Sequence, residues 1–128
     1  MFKAIHADNA PQAIGPYSHA FQVQDTLYLS GQIGLDPMTM DLVPGGVVAQ
    51  AEQCLTNLTS VLTSVGLELA HIAKLSLYLS DMNDFQVVNE VLSKHLTAPY
   101  PARVAYSVAA LPKNACVVID AIAYTGEI

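Results

Sequence analysis

Residues 47–80, VVAQAEQCLTNLTSVLTSVGLELAHIAKLSLYLS, decide the fold, because two hydrophobic periods follow one another there. Val47, Ala51, Leu55, Leu58, Leu62 and Val65 recur at three- and four-residue steps, the spacing of a helix with one apolar stripe over Val47 to Val65. Glu52, Gln53, Thr56, Asn57, Ser60, Thr63 and Ser64 make its other side polar, and Gly66 stands where a left-handed C-terminal cap belongs. From Ile72 to Ser80 the period drops to two. Leu75, Leu77 and Leu79 alternate with Lys74, Ser76, Tyr78 and Ser80, as in a strand with unlike faces. A helix and a strand that each have one apolar side are expected to pack on one another.

Working outward, Ser18 to Val23 and Leu27 to Ile33 read as a hairpin turning at Gln24-Asp25, after a first strand over Phe2 to Ile5 and a loop from Asp8 to Pro16. Downstream, Asn83 or Asp84 can cap a second helix that runs to about His95. Arg103 to Ala109 and Cys116 to Tyr124 read as closing strands joined through Leu111-Pro112-Lys113-Asn114. The expectation is one domain over residues 1–128, of α+β class, with both helices on one face of the sheet and the other face free for a neighbour.

Composition supports that neighbour. Hydrophobic residues make up 52% of the 128 residues and charged ones 12%, about half the roughly 25% of an average soluble domain. No apolar run approaches the ~20 residues of a membrane helix, so subunit contact is the expected place for the surplus, and no membrane partner is expected. The net charge of −6 repels phosphate backbones, which argues against nucleic acid as a partner. The N-terminal residues lack the apolar core of a secretory signal, pointing to a cytoplasmic chain. Cys54 and Cys116 lack the close spacing of a redox or metal pair and read as packing residues. The Asn57-Leu58-Thr59 glycosylation pattern falls inside the expected helix and is set aside.

Three residues stand out for chemistry. Arg103, the only arginine, directly precedes an apolar strand. Its planar fork suits a carboxylate in two parallel hydrogen bonds, and a structural ion pair with a subunit's Asp or Glu is the competing reading. Asp120 lies in the middle of the apolar run Ala115 to Ala123. Burial there raises a carboxyl pKa toward the range useful to a general base unless a cation opposes it, while a solvent-facing or ion-paired aspartate explains the residue equally well. Tyr17 follows Gly15-Pro16 and is either aimed out of the loop at a ligand or simply buried. Gly31, between Ser30 and Gln32, signals close backbone approach or a plain bulge. Asn89 is polar beside the apolar stripe of the second helix. No nucleotide loop, zinc pair or nucleophile elbow appears. His6, His19, His71 and His95 are scattered singly, so no metal is expected.

Taken together, Ala13-Ile14-Gly15-Pro16-Tyr17-Ser18, Ser30-Gly31-Gln32-Ile33, Asp81-Met82-Asn83-Asp84-Phe85 with Asn89, Pro101-Ala102-Arg103, Leu111-Pro112-Lys113 and Ile119-Asp120-Ala121-Ile122-Ala123 resemble the Rid family, also called the YjgF family, in order over essentially the whole chain. The resemblance implies a chorismate-mutase-like α+β fold, a mixed sheet with two helices on one face, and a homotrimer with ligand sites between subunits. It also implies cofactor-free hydrolysis of reactive 2-enamino and 2-imino acids, such as 2-aminoacrylate, to 2-keto acids and ammonia. That is the activity of a 2-iminobutanoate/2-iminopropanoate deaminase. Carried over residue by residue, Arg103 would bind the substrate carboxylate, while Tyr17, Ser30, Gly31, Asn89 and Ala105 would shape the pocket and Asp120 would handle the water. There are departures. Asp120 replaces a glutamate common in the family, Ala105 replaces a common cysteine and so excludes thiol chemistry there, Ser18-His19 replaces Ser-Gln, and the segment between Asn89 and Arg103 is short.

Two rival readings remain. A trimeric protein that holds keto acids or other carboxylates without turnover would use Arg103 equally well but has no need of Asp120. A ribonuclease, as some members have been described, is opposed by the acidity and by the absence of a paired-histidine signature.

Overall fold

The computed structural model describes residues 1–127. Its strands are β1 (Phe2–Ile5), β2 (Ala20–Val23), β3 (Thr26–Gln32), β4 (Ile72–Leu79), β5 (Ala102–Ser107) and β6 (Val117–Tyr124), with helices α1 (Gly46–Ser64) and α2 (Phe85–His95). They form one six-stranded sheet in the order β1-β2-β3-β6-β4-β5. All neighbours are antiparallel except β4 and β5. That parallel pair needs a crossover, and α2 supplies it. The class is therefore α+β with a mixed sheet and two helices, as the periodicity and the resemblance both implied.

The alternation read in β4 sets which way the sheet faces. Leu75, Leu77 and Leu79 are fully buried together with Leu55, Leu58, Val61 and Leu62 of α1 and Val88 of α2. Their intervening partners emerge on the opposite side. Register places Tyr28 beside Ile122, Val118 beside Tyr78, and Tyr78 beside Tyr106, all on the face without helices. Phe2, Tyr28, Tyr106 and Tyr124 there are 79%, 49%, 56% and 46% exposed. Aromatic and aliphatic side chains thus make up much of the sheet face without helices.

Local chemistry ends the elements largely where expected. Gly66 takes φ 78° just after α1, and the Leu67 N–H donates to the Leu62 carbonyl at 2.9 Å, which satisfies one of the last orphan carbonyls. The hairpin turns at Gln24-Asp25, with Val23 opposite Thr26.

Several strand boundaries need correction. The second strand begins at Ala20 rather than Ser18; the His19 ring is bonded to the preceding loop at Ala7 and Pro11, and the Ser18 carbonyl accepts from the Ser30 hydroxyl rather than from a strand backbone N–H. The third spans Thr26–Gln32, and the fifth spans Ala102–Ser107 rather than reaching Ala109. Asp84 stands at the N-cap of α2 as expected, although its side chain makes no capping bond. The side-chain cap lies one turn earlier, where Asp81 accepts the Asn83 N–H at 2.9 Å and opens a 3-10 turn over Met82–Asp84 that leads into the helix.

Not all of the polar side of α1 is wetted. Asn57 is fully buried, and its amide donates to the Ile33 and Leu35 carbonyls at 3.1 and 3.0 Å. Those two bonds tie the loop after β3 to the helix, where leaving buried carbonyls unpaired would cost about 1–3 kcal/mol each. Cys54 packs in the core, where burial pushes its thiol pKa far up and leaves it inert. No described helix is long and apolar enough to cross a membrane.

Candidate functional site

The expected site residues fall into two groups. The first surrounds a bulge in β3. Leu29 pairs with Ala121 and Gln32 with Ile119, so Ser30 and Gly31 together oppose the single residue Asp120. The bulge reading of Gly31 holds, and the bulge also brings residue 31 close to β6. A Cβ on residue 31 would lie 2.8 Å from Val118 Cγ1 and 3.9 Å from Asp120 Cβ. Only glycine leaves that space open.

Asp120 is half-buried, in keeping with the reading of a strand residue that faces outward rather than with a carboxylate sunk in the core. Its neighbours Ile119 and Ala121 face the core, so alternation turns Asp120 outward onto the open sheet face, opposite Ser76. Tyr17 joins this group through Ser30. The two line a cleft of about 390 Å³ with Pro16, Phe21 and Tyr28, and the Ser30 hydroxyl donates to the Ser18 carbonyl at 2.6 Å. Tyr17 is 45% exposed, so its side chain is available rather than used in packing.

The second group belongs to the sheet edge. Arg103 pairs with Leu75 and Ala105 with Leu77 in β5, which places both on the helix side. Arg103 Nη1 donates to Asn89 Oδ1 of α2 at 2.5 Å, and the guanidinium carbon lies 5.3 Å from the centre of the Phe85 ring. Phe85 and Asn89 are four residues apart, hence on one helix face, and together they hold the arginine from two sides. A guanidinium has five N–H donors. With one edge held by Asn89, Nε and Nη2 remain in the parallel geometry that fits a carboxylate. No carboxylate of the same chain pairs with Arg103 among the described residues. A groove of about 440 Å³ walled by Leu75, Leu92, Leu96 and Tyr100 runs beside it.

The chain does not bring the two groups together. Arg103 sits opposite Leu75 and Asp120 opposite Ser76, adjacent residues of β4 that point to opposite faces. One small acid cannot touch both within a single copy.

A family model described as Endoribonuclease L-PSP matches residues 7–125. The chain is 50% identical over 124 residues, 97% of this chain and 92% of the relative, to a mouse protein named 2-iminobutanoate/2-iminopropanoate deaminase. The chain belongs to the Rid family. Its structure is similar to crystal structures of RidA from a Psychrobacter species (TM-score 0.92, 46% identity, covering 95% of this chain and 98% of that one) and of E. coli TdcF with bound serine (TM-score 0.89, 35% identity, covering 97% and 99%). Sequence reading of this Rid chain passed over Phe85 as a partner of Arg103. The four-residue spacing to Asn89 was the available signal, but which helix face meets β5 is set only by the crossover.

Proposed function

We propose that this Rid protein is a cofactor-free deaminase that hydrolyses small 2-imino acids, and the 2-enamino acids from which they form, to 2-keto acids and ammonia. The observation that carries the reading is the division of the site. A carboxylate clamp (Arg103 on Asn89) and a water-handling group (Asp120 beside Gly31, with Tyr17) lie on opposite faces of one sheet, which suits a site completed by a second copy. The deaminase name carried by the half-identical mouse relative supports the reaction class. In the assembled form the chain is a homotrimer of chorismate-mutase-like subunits in the cytoplasm. Aromatic residues of the open face are covered by neighbours, and Arg103, Asn89 and Ala105 of one copy face Tyr17, Ser30, Gly31 and Asp120 of the next.

The chemistry follows from the groups present. Nε and Nη2 of Arg103 bind the substrate carboxylate and fix the imine carbon over Gly31. Asp120 accepts a proton from water as its oxygen attacks that carbon, giving a carbinolamine. That proton passes to the nitrogen as the carbinolamine forms; Asp120 then takes the carbinolamine's hydroxyl proton and delivers it to the nitrogen as the carbonyl forms and the C–N bond breaks, so that ammonia and the keto acid leave. Tyr17 orients the polar atoms of the substrate by its hydroxyl. Water is the only co-reactant.

The assembly is checked by light scattering at micromolar concentration, which should give about three times 13.6 kDa; a stable monomer removes the second copy the site requires. The reaction is checked by adding the protein to a threonine or serine dehydratase. Keto acid should then appear faster than by spontaneous hydrolysis, and less imine should be captured by a trapping nucleophile. An unchanged trapping yield over a wide protein concentration, with keto-acid binding still detected by calorimetry, would leave a carboxylate-binding trimer as the function.

A further inference from the structure

We propose that His19 is a positioning residue for Tyr17, acting as a two-ended clamp on the loop that carries it. The inference rests on the reading of Tyr17 as part of the imine site. His19 is 4% exposed, one of only four buried polar residues among those described. Its Nδ1 accepts the Ala7 N–H at 2.8 Å. A ring nitrogen that accepts carries no hydrogen, so the hydrogen of the neutral ring lies on Nε2, which donates to the Pro11 carbonyl at 2.7 Å. One imidazole thus holds the chain at residues 7 and 11.

The main chain of the same residue is held in turn. The His19 carbonyl accepts the Ser30 N–H at 2.9 Å, while the Ser18 carbonyl accepts the Ser30 hydroxyl at 2.6 Å. His19 therefore links the loop to the β3 bulge that faces Asp120. Residues 6–19 contain no helix or strand, and their own backbone ties are few: Ala10 N–H to the Ala7 carbonyl at 3.4 Å and Tyr17 N–H to the Gly15 carbonyl at 2.8 Å. Tyr17 and His19 line one cavity of about 500 Å³ with His6, Asp8 and Gln12, so the loop has space to shift if the clamp is lost. Among the described residues, no other hydrogen bond joins the end of the loop before β2 to Ala7 or Pro11. A loop displaced by a fraction of its width carries the tyrosine hydroxyl out of reach of substrate, which affects turnover more than binding because Arg103 lies on a different element.

The test is a double-mutant cycle on the full-length protein, with kcat and KM measured for imine hydrolysis and with circular dichroism and light scattering as checks of fold and assembly. His19→Leu, close in volume and without polar atoms, should lower kcat on the order of tenfold with KM within about twofold. In a Tyr17→Phe background the same change should cost less than about twofold further, since residues that act through one another are not additive. His19→Gln, whose amide offers one acceptor and one donor, should keep at least about half of wild-type kcat. If His19→Leu fails to fold, His19→Asn, whose shorter amide reaches only one of the two partners, takes its place in the cycle. Equal loss in both backgrounds, or glutamine as poor as leucine, overturns the clamp while leaving the imine site intact. Tyr17→Phe with unchanged kinetics overturns the placement of Tyr17 in the site, and the inference with it.

Discussion

Asp120→Asn is expected to lower imine hydrolysis by roughly 10²- to 10⁴-fold, the usual contribution of a positioned general base. The amide keeps the size and the hydrogen bonding of the side chain but cannot take a proton from water. The position is already half-open on the sheet face and lies next to glycine, so the substitution has room and leaves the core untouched. Binding of a keto acid such as 2-oxobutyrate, followed by calorimetry, should survive and can tighten, since a charge of the same sign as the ligand's carboxylate is removed. Asp120→Glu should retain activity or raise it, because the longer side chain extends farther from β6 into the space Gly31 leaves. Full turnover by Asp120→Asn, with fold and assembly unchanged, would assign the proton transfer to another group and strip Asp120 of its role.

Arg103→Lys should cost about 10- to 100-fold in kcat/KM even though the positive charge remains. A hydrogen bond to a charged group contributes about 1.5–3 kcal/mol, and each 1.36 kcal/mol is a factor of ten. Lysine loses three features at once: the bond to Asn89 Oδ1 in its present geometry, the flat surface against Phe85, and the parallel pair of donors left on the far edge. The measurement is steady-state kinetics at several imine concentrations, alongside keto-acid titration. Kinetics equal to wild type would show that Arg103 attracts the substrate by charge alone or serves structure.

Much of this molecule is legible in its order of residues, for identifiable reasons. The stripe from Val47 to Val65 and the alternation from Ile72 to Ser80 place α1 and β4 because each buries one side only, and periodicity records which side. Arg103, Asp120 and Tyr17 attract notice because each is out of keeping with its immediate neighbours. Chain ends of elements are less legible. Ser18 and His19 look like strand residues, yet the His19 ring is drawn to Ala7 and Pro11 of the loop and the Ser18 carbonyl to the Ser30 hydroxyl of β3, partners near in space and distant in sequence.

The sequence by itself therefore determined the class of fold, the helices on one side of the sheet, the apolar surplus, and the residue types of the candidate site. Tertiary structure alone decided how those residues are divided. The parity of β4 sends Arg103 and Asp120 to opposite faces, the bulge at Ser30-Gly31 sets the backbone against Val118, and α2 delivers Phe85 and Asn89 to the arginine. Strand register and the crossover path depend on contacts between segments far apart in the chain, and a one-residue slip would turn every side chain to the other face. Local periodicity carries no record of that choice.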